Sequence, residues 1–221
     1  MSLDDEIVLR SELFEGLDEK VCRSMLELVG LRAVAVNERI VAEGQRASHV
    51  FCVLSGVVRL TKAEAGGREA DVCICEPGDC FGEYLVPMGD AYAHGAWAAA
   101  PVELAQFDLP GLRALAAEHG GIQRNVMRIM ARHLLGSLDC IAGDRLHTAA
   151  QRVANYFVSR CPNSASQATF RLPYQKRVLA GKLGLAPEAL SRAFAALSGA
   201  GVDVRGRTVC IGSVAQLREA C

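Results

Sequence analysis

The feature that most constrains this chain is a change of hydrophobic period near Pro110. From about residue 34 to 108, short β-rich segments such as "HVFCVLSGVVRL" and "GAWAAAPVELAQFD" are punctuated by glycine, proline and aspartate. Turn residues recur every 8 to 12 residues or so, the pattern of an antiparallel sandwich or jelly roll. "EAGGRE" between two such segments reads as a hairpin with a Gly-Gly turn. Beyond Pro110 the glycines thin out. Ile122, Val126, Ile129, Met130, His133, Leu134, Leu138 and Ile141 fall at three- and four-residue steps, with Arg124, Arg128, Arg132 and Asp139 mostly off that stripe. Roughly 22 residues at 1.5 Å each make a rod of ~33 Å. Its stripe has to be buried on its own domain or against a twin helix across a two-fold axis. A roll covers only one end of such a rod, which favours the twin.

Charge divides the chain as sharply as period does. Residues 1–144 hold 13 Lys and Arg against 22 Asp and Glu, whereas 145–221 hold 11 against 3. The overall charge of −1 therefore conceals a basic C-terminal third, as expected of a domain that meets phosphate. Within it, "TAAQRVANYFVSRC" reads as a helix beginning at Thr148 and ending before Pro162. "CPNSASQAT" serves as a loop and "FRLP" as a short strand. "LAGKLGLAPEALSRAFAALSGAGV" supplies two helices around Gly184, and "VDVRGRTVCIG" a hairpin tipped by Arg205-Gly206-Arg207.

Helix, turn, helix and basic hairpin is the order of a winged helix-turn-helix, whose second helix enters the major groove. Pro187 suits a first helical turn, where its missing N–H costs nothing. Leu190, Phe194 and Leu197 form the inward face, which leaves Glu188, Ser191 and Arg192 exposed at the N-terminal end. Arginine suits guanine O6 and N7, glutamate the cytosine amino group, and serine either partner. These three are the candidate base readers. The alternative for Glu188 and Arg192 is an ion pair on a solvated face. Lys176, Arg177, Lys182, Arg205 and Arg207 are the candidate phosphate contacts.

"FCVLSGVVRL", "GGREADVCICEPGDCFGE", the long helix, "AAQRVANYF" and "APEALSRAFAALSGAGV", in that order, resemble the Crp/Fnr transcription regulators from roughly residue 13 onward. The resemblance implies an α+β fold with three parts. A cyclic-nucleotide-binding-type β-roll (jelly roll) sensor spans 1–118, a dimerisation helix 119–145, and a winged helix-turn-helix domain 146–221. It implies a homodimer that reads a TTGAT-like palindrome in double-stranded DNA through Glu188, Ser191 and Arg192, with RNA polymerase as a further partner. It implies no catalytic activity.

An effector pocket is expected at Phe81, Gly82, Glu83, Tyr92 and His94. Cyclic-nucleotide binders of the family follow "FGE" with an arginine that holds the phosphate. "YLVPMGDAYAHGAWAAA" contains no Arg or Lys, and Tyr92 falls about where that arginine would be. Burying a phosphate without a cation is costly, so cAMP and cGMP are disfavoured. An N-terminal iron–sulfur cluster is disfavoured too, since only Cys22 precedes residue 50. The segments "FGEYLVPMGDAYAHGAWAAAPVELAQFD" and "VLAGKLGLAPEALSR" look most like the dissimilatory nitrate respiration branch. That likeness implies nitric oxide acting through haem, with His94 or His133 as ligand. Cys73, Cys75 and Cys80 form the alternative, a redox- or metal-responsive group. A cyclic-nucleotide-binding regulatory protein is a further alternative.

Nine cysteines at scattered spacings, with no secretory signal in "MSLDDEIVLR", read as reduced thiols of a cytoplasmic protein. No apolar run approaches the ~18 residues of a membrane span, and without an HxH pair a metal-bearing barrel enzyme lacks its ligands. Ala186 departs from the Ser or Thr usual at the start of a recognition helix.

Overall fold

The structure, a computed structural model, describes residues 8–64, 66–67, 69–162 and 164–221. Its packing divides the chain into two units, 1–136 and 137–221.

The first unit opens with α1 (Glu19–Leu26), followed by β1 (Val29–Val34), β2 (Arg39–Val41), β3 (His49–Ser55), β4 (Val58–Ala63), β5 (Glu69–Cys75), β6 (Cys80–Phe81), β7 (Gly95–Ala98) and β8 (Val102–Asp108). Two four-stranded sheets, ordered β1-β8-β3-β6 and β2-β7-β4-β5, form the expected roll. All the pairings are antiparallel. Short strands form here because apolar residues bury on both faces of β3 and β8, Phe51, Val53 and Leu104 on one and Val50 and Phe107 on the other, where Phe107 meets Phe14 at 6.0 Å. Phe51 stacks on Phe81 with centroids 4.9 Å apart. The β4–β5 hairpin is present, with Ala63 opposite Glu69; Ala65 and Arg68 of its predicted Gly-Gly turn lie outside the described residues.

α2 (Leu109–Glu118) carries Pro110 in its first turn, with the Asp108 carboxylate accepting from the Gly111 N–H at 2.8 Å. α3 (Gly120–Leu146) is the long helix. Its first half presses Ile122, Val126 and Ile129 into the roll's core, and buried Asn125 donates to the Leu13 and Glu15 carbonyls at 2.9 and 3.0 Å. The expected single stripe is in fact two. Leu134, Leu138 and Ile141 are 61%, 52% and 49% exposed, and Met127, Leu135 and Leu146 are exposed as well. Positions 127, 134, 138 and 141 follow heptad steps, whereas 122, 126 and 129 lie on the face against the roll.

The second unit contains the end of α3, then α4 (Ala149–Ser159), β9 (Ala168–Arg171), α5 (Lys176–Lys182), α6 (Pro187–Ser198), β10 (Val202–Arg205), β11 (Thr208–Ile211) and α7 (Val214–Glu219). Thr148 caps α4 in a reciprocal box with Gln151. Phe157 anchors the core, stacked on Phe194 at 6.0 Å and edge-on to Phe170 at 5.8 Å. The wing is a three-stranded sheet, β10-β11-β9. Two expectations need correction: the strand drawn from "FRLP" lies two residues earlier, since Pro173 cannot donate to the ladder, and α7 is additional.

Candidate DNA-binding surface and effector pocket

α5, a short turn and α6 make the helix-turn-helix. Gly184 holds φ +60° in that turn, and a Cβ there would sit 3.1 Å from an Asp144 carboxylate oxygen. Arg152 grips the same corner, pairing with Asp144 and donating to the Leu183 carbonyl at 2.9 Å. The sequence alone did not single out this Arg152–Asp144 clasp, because the two residues are ordinary in type and meet only through folding.

On α6, Leu190, Ala193 and Leu197 are buried, and Phe194 completes the inward face through its stack on Phe157. Glu188, Ser191 and Arg192 are exposed on the opposite side. Among the described residues neither Glu188 nor Arg192 takes part in an ion pair, so both heads are available to a ligand. The Ser191 hydroxyl donates to the Pro187 carbonyl at 3.0 Å, keeping its lone pairs outward. Pro187 occupies the first turn after Ala186, which provides no side-chain cap.

Around this helix stand the five basic candidates. Lys176 places its Nζ over the Phe194 ring at 5.1 Å and Lys182 its Nζ over Tyr174 at 5.8 Å, both residues being half-buried. Arg177 is exposed. Gly206, at φ +59°, is the first residue of the two-residue wing turn, since Arg205 pairs with Thr208. Arg205 is tethered to Asp203 at 2.8 Å, and Arg207 donates to the Pro173 carbonyl at 3.4 Å.

In the roll, the "FGE" residues sit at the edge strand β6. Gly82 is left-handed, and Glu83 starts a 3-10 turn with only 4% of its surface exposed. The Glu83 carboxylate meets the His133 Nδ1 of α3 at 2.8 Å. That bond raises the His133 pKa against the opposing effect of burial. Tyr92 is not a wall open to a ligand: it is 1% exposed, its hydroxyl donating to the His49 carbonyl at 3.0 Å and accepting from the His49 N–H at 3.1 Å. A cation expected there is thus replaced by a core phenol. His94 sits edge-on to Tyr84 at 5.6 Å, and burial lowers its pKa. Its Nδ1 is buried without a hydrogen-bond partner among the described residues.

The three cysteines do not converge. Cys75 is buried and Cys73 exposed two residues away on β5, whereas Cys80 is buried opposite Cys52 across the β3–β6 ladder, and all of these thiols are free. Among the described residues no three His, Cys, Asp or Glu side chains gather as metal ligands would.

A two-sheet roll, a long helix and a winged helix-turn-helix with an exposed polar trio define a transcription regulator with a DNA-binding domain and an effector-type domain. Residues 31–119 match the cyclic nucleotide-binding domain and residues 151–220 the Crp-like helix-turn-helix domain. The chain belongs to the Crp/Fnr family of regulators. It is 22% identical over 212 residues to the CRP-like cAMP-activated global transcriptional regulator of Mycobacterium tuberculosis, covering 94% of this chain and 95% of that protein. It is 28% identical over 214 residues to the cyclic AMP receptor protein of Thermus thermophilus, covering 95% and 96%. The solved structure of FixK2 from Bradyrhizobium japonicum shares the fold, with a TM-score of 0.74 at 23% identity over 87% of this chain and 96% of that one. No helix among the described residues is long and apolar enough to cross a membrane.

Proposed function

We propose that the chain acts in the cytoplasm as a homodimer that binds a TTGAT-like palindrome and controls transcription by RNA polymerase. The roll over 1–118 receives the effector, the helix over 119–145 pairs with its twin, and 146–221 binds DNA. Glu188, Ser191 and Arg192 read base edges, while Lys176, Arg177, Lys182, Arg205 and Arg207 contact phosphates. The observation that carries this reading is the exposed trio at the start of α6, free of competing ion pairs among the described residues. A mobility-shift titration tests it. Arg192→Ala should lower affinity for the palindrome by roughly 1–3 kcal/mol and spare salt-sensitive binding to scrambled DNA. Undiminished preference for the palindrome would overturn the assigned role.

The effector is not a cyclic nucleotide in this reading. Residues 84–100 contain no Arg or Lys, Tyr92 fills the core, and the cAMP in the names of two relatives does not transfer. Haem-borne nitric oxide is the effector we favour. Haem iron takes a neutral imidazole, and His94 fits better than His133: burial favours neutral His94, whose buried Nδ1 has no hydrogen-bond partner among the described residues, whereas Glu83 holds His133 towards its cation. When bound, haem would supply the iron that takes up the gas. Mixing the chain with haemin should give a stoichiometric Soret band that shifts with nitric oxide and is lost in His94→Ala. No stoichiometric band would remove haem from the proposal and leave the DNA assignment standing.

A further inference from the structure

Cys52 on β3 and Cys80 on β6 are directly opposed in the antiparallel register. The next pair along carries the ladder bond, the Val53 N–H donating to the Asp79 carbonyl at 2.9 Å. Cys52 and Cys80 therefore occupy a non-hydrogen-bonded pair, where opposed side chains come closest and Cα atoms lie ~4.5 Å apart. Disulfides form at Cα separations of about 4.4–6.8 Å, so this register accommodates one without moving the backbone. Both thiols are free and 1% exposed. β6 is only two residues long and lies at the edge of its sheet, which makes it the strand that opens most readily to a small oxidant.

We propose that Cys52 and Cys80 form a redox-modification site that closes to an intramolecular disulfide under a peroxide, fastening the Phe81-Gly82-Glu83 segment to β3. One of the two thiols attacks as its thiolate. It displaces water from the peroxide: an S–O bond forms, the O–O bond breaks, and the proton that this thiol gave up completes the first water molecule. The other sulfur then attacks the resulting sulfenic acid. An S–S bond forms, the S–O bond breaks, and the second thiol's proton leaves in the second water. Two thiols are oxidised and one peroxide is reduced. Cys73 and Cys75 are a poorer pair, because residues two apart along a strand hold their Cβ atoms parallel and about 6.6 Å apart, beyond the ~3.5–4.5 Å that a disulfide needs.

The full chain, reduced and then treated with one equivalent of hydrogen peroxide, is alkylated and digested with trypsin and a protease that cleaves before aspartate. Cleavage before Asp79 separates Cys80 from Cys73 and Cys75. The expected product joins the Cys52 peptide to the Cys80 peptide at about 2 Da below their sum, reverts with dithiothreitol, and is absent from Cys52→Ser and from Cys80→Ser. Cys52 and Cys80 both found alkylated, or carried on to sulfinic acid, or Cys52 joined to the Cys73/Cys75 peptide, would overturn the proposal. The wild-type map decides by itself should either variant fail to fold.

Discussion

At the residue scale, the contact between Glu83 and His133 joins the "FGE" segment to the long helix within the first unit. Glu83 is almost wholly buried, and its carboxylate stabilises the imidazolium of His133, whose pKa is raised first by that hydrogen bond. Among the described residues Glu83 and, more weakly, the Cys73 thiol from β5 act to raise the His133 pKa, and Arg132 on its own helix acts to lower it. A histidine whose pKa is higher in the folded than in the unfolded chain stabilises fully below its unfolded value of about 6.5. That contribution fades as pH rises through the higher folded value. His133→Gln should therefore lower the thermal midpoint most at pH 5.5–6, by a few degrees, with the gap to wild type narrowing towards pH 9. A gap that is constant across that range would show that the charge on His133 contributes nothing. Glu83 and His133 were each singled out by sequence, one from a motif and one from a stripe. Nothing in the linear order said that they touch, because they are 50 residues apart.

At the element scale, α3 carries two apolar faces with different fates. Ile122, Val126 and Ile129 are consumed by the roll, whereas Leu134, Leu138 and Ile141 stay open in the single chain. Apolar positions repeating at heptad steps over several turns fit a coiled-coil seam, and burying each leucine there is worth about 1.5–3 kcal/mol. Leu138→Glu should convert the dimer to a monomer in sedimentation equilibrium while leaving the helical circular dichroism of each chain close to wild type. A variant that stays dimeric would place the interface elsewhere. The three-and-four spacing was enough to find the helix. It could not separate the two faces, because a residue's neighbour across space decides whether the same stripe is core or interface.

At the scale of the whole molecule, the acidic first 144 residues and the basic remainder set where a polyanion binds. Each phosphate neutralised releases counterions, giving a slope of about −0.9 in log affinity against log salt per phosphate. Lys176→Gln or Arg205→Gln should each weaken binding to palindromic and scrambled DNA alike and make that slope shallower by about 1. A slope identical to wild type would remove the residue from the set that touches the DNA backbone. Charge bias is legible in sequence because electrostatics sums over residues regardless of their order. The Arg152 clasp on Asp144 and Leu183 was not legible, since its worth lies in one geometry at the corner of the turn.

The sequence by itself determined the roll, the long helix and the winged helix-turn-helix, because period, turn residues and capping act over a few neighbours. It also determined the exposed trio on α6, whose facing follows from helical spacing once Leu190 and Leu197 are placed inward. Tertiary structure alone decided that Tyr92 is core rather than pocket wall, that Glu83 is already bonded to His133, and that Cys80 faces Cys52 instead of joining Cys73 and Cys75. Each of these depends on strand register or on helix docking, which bring together residues too far apart in the chain for any local pattern to link.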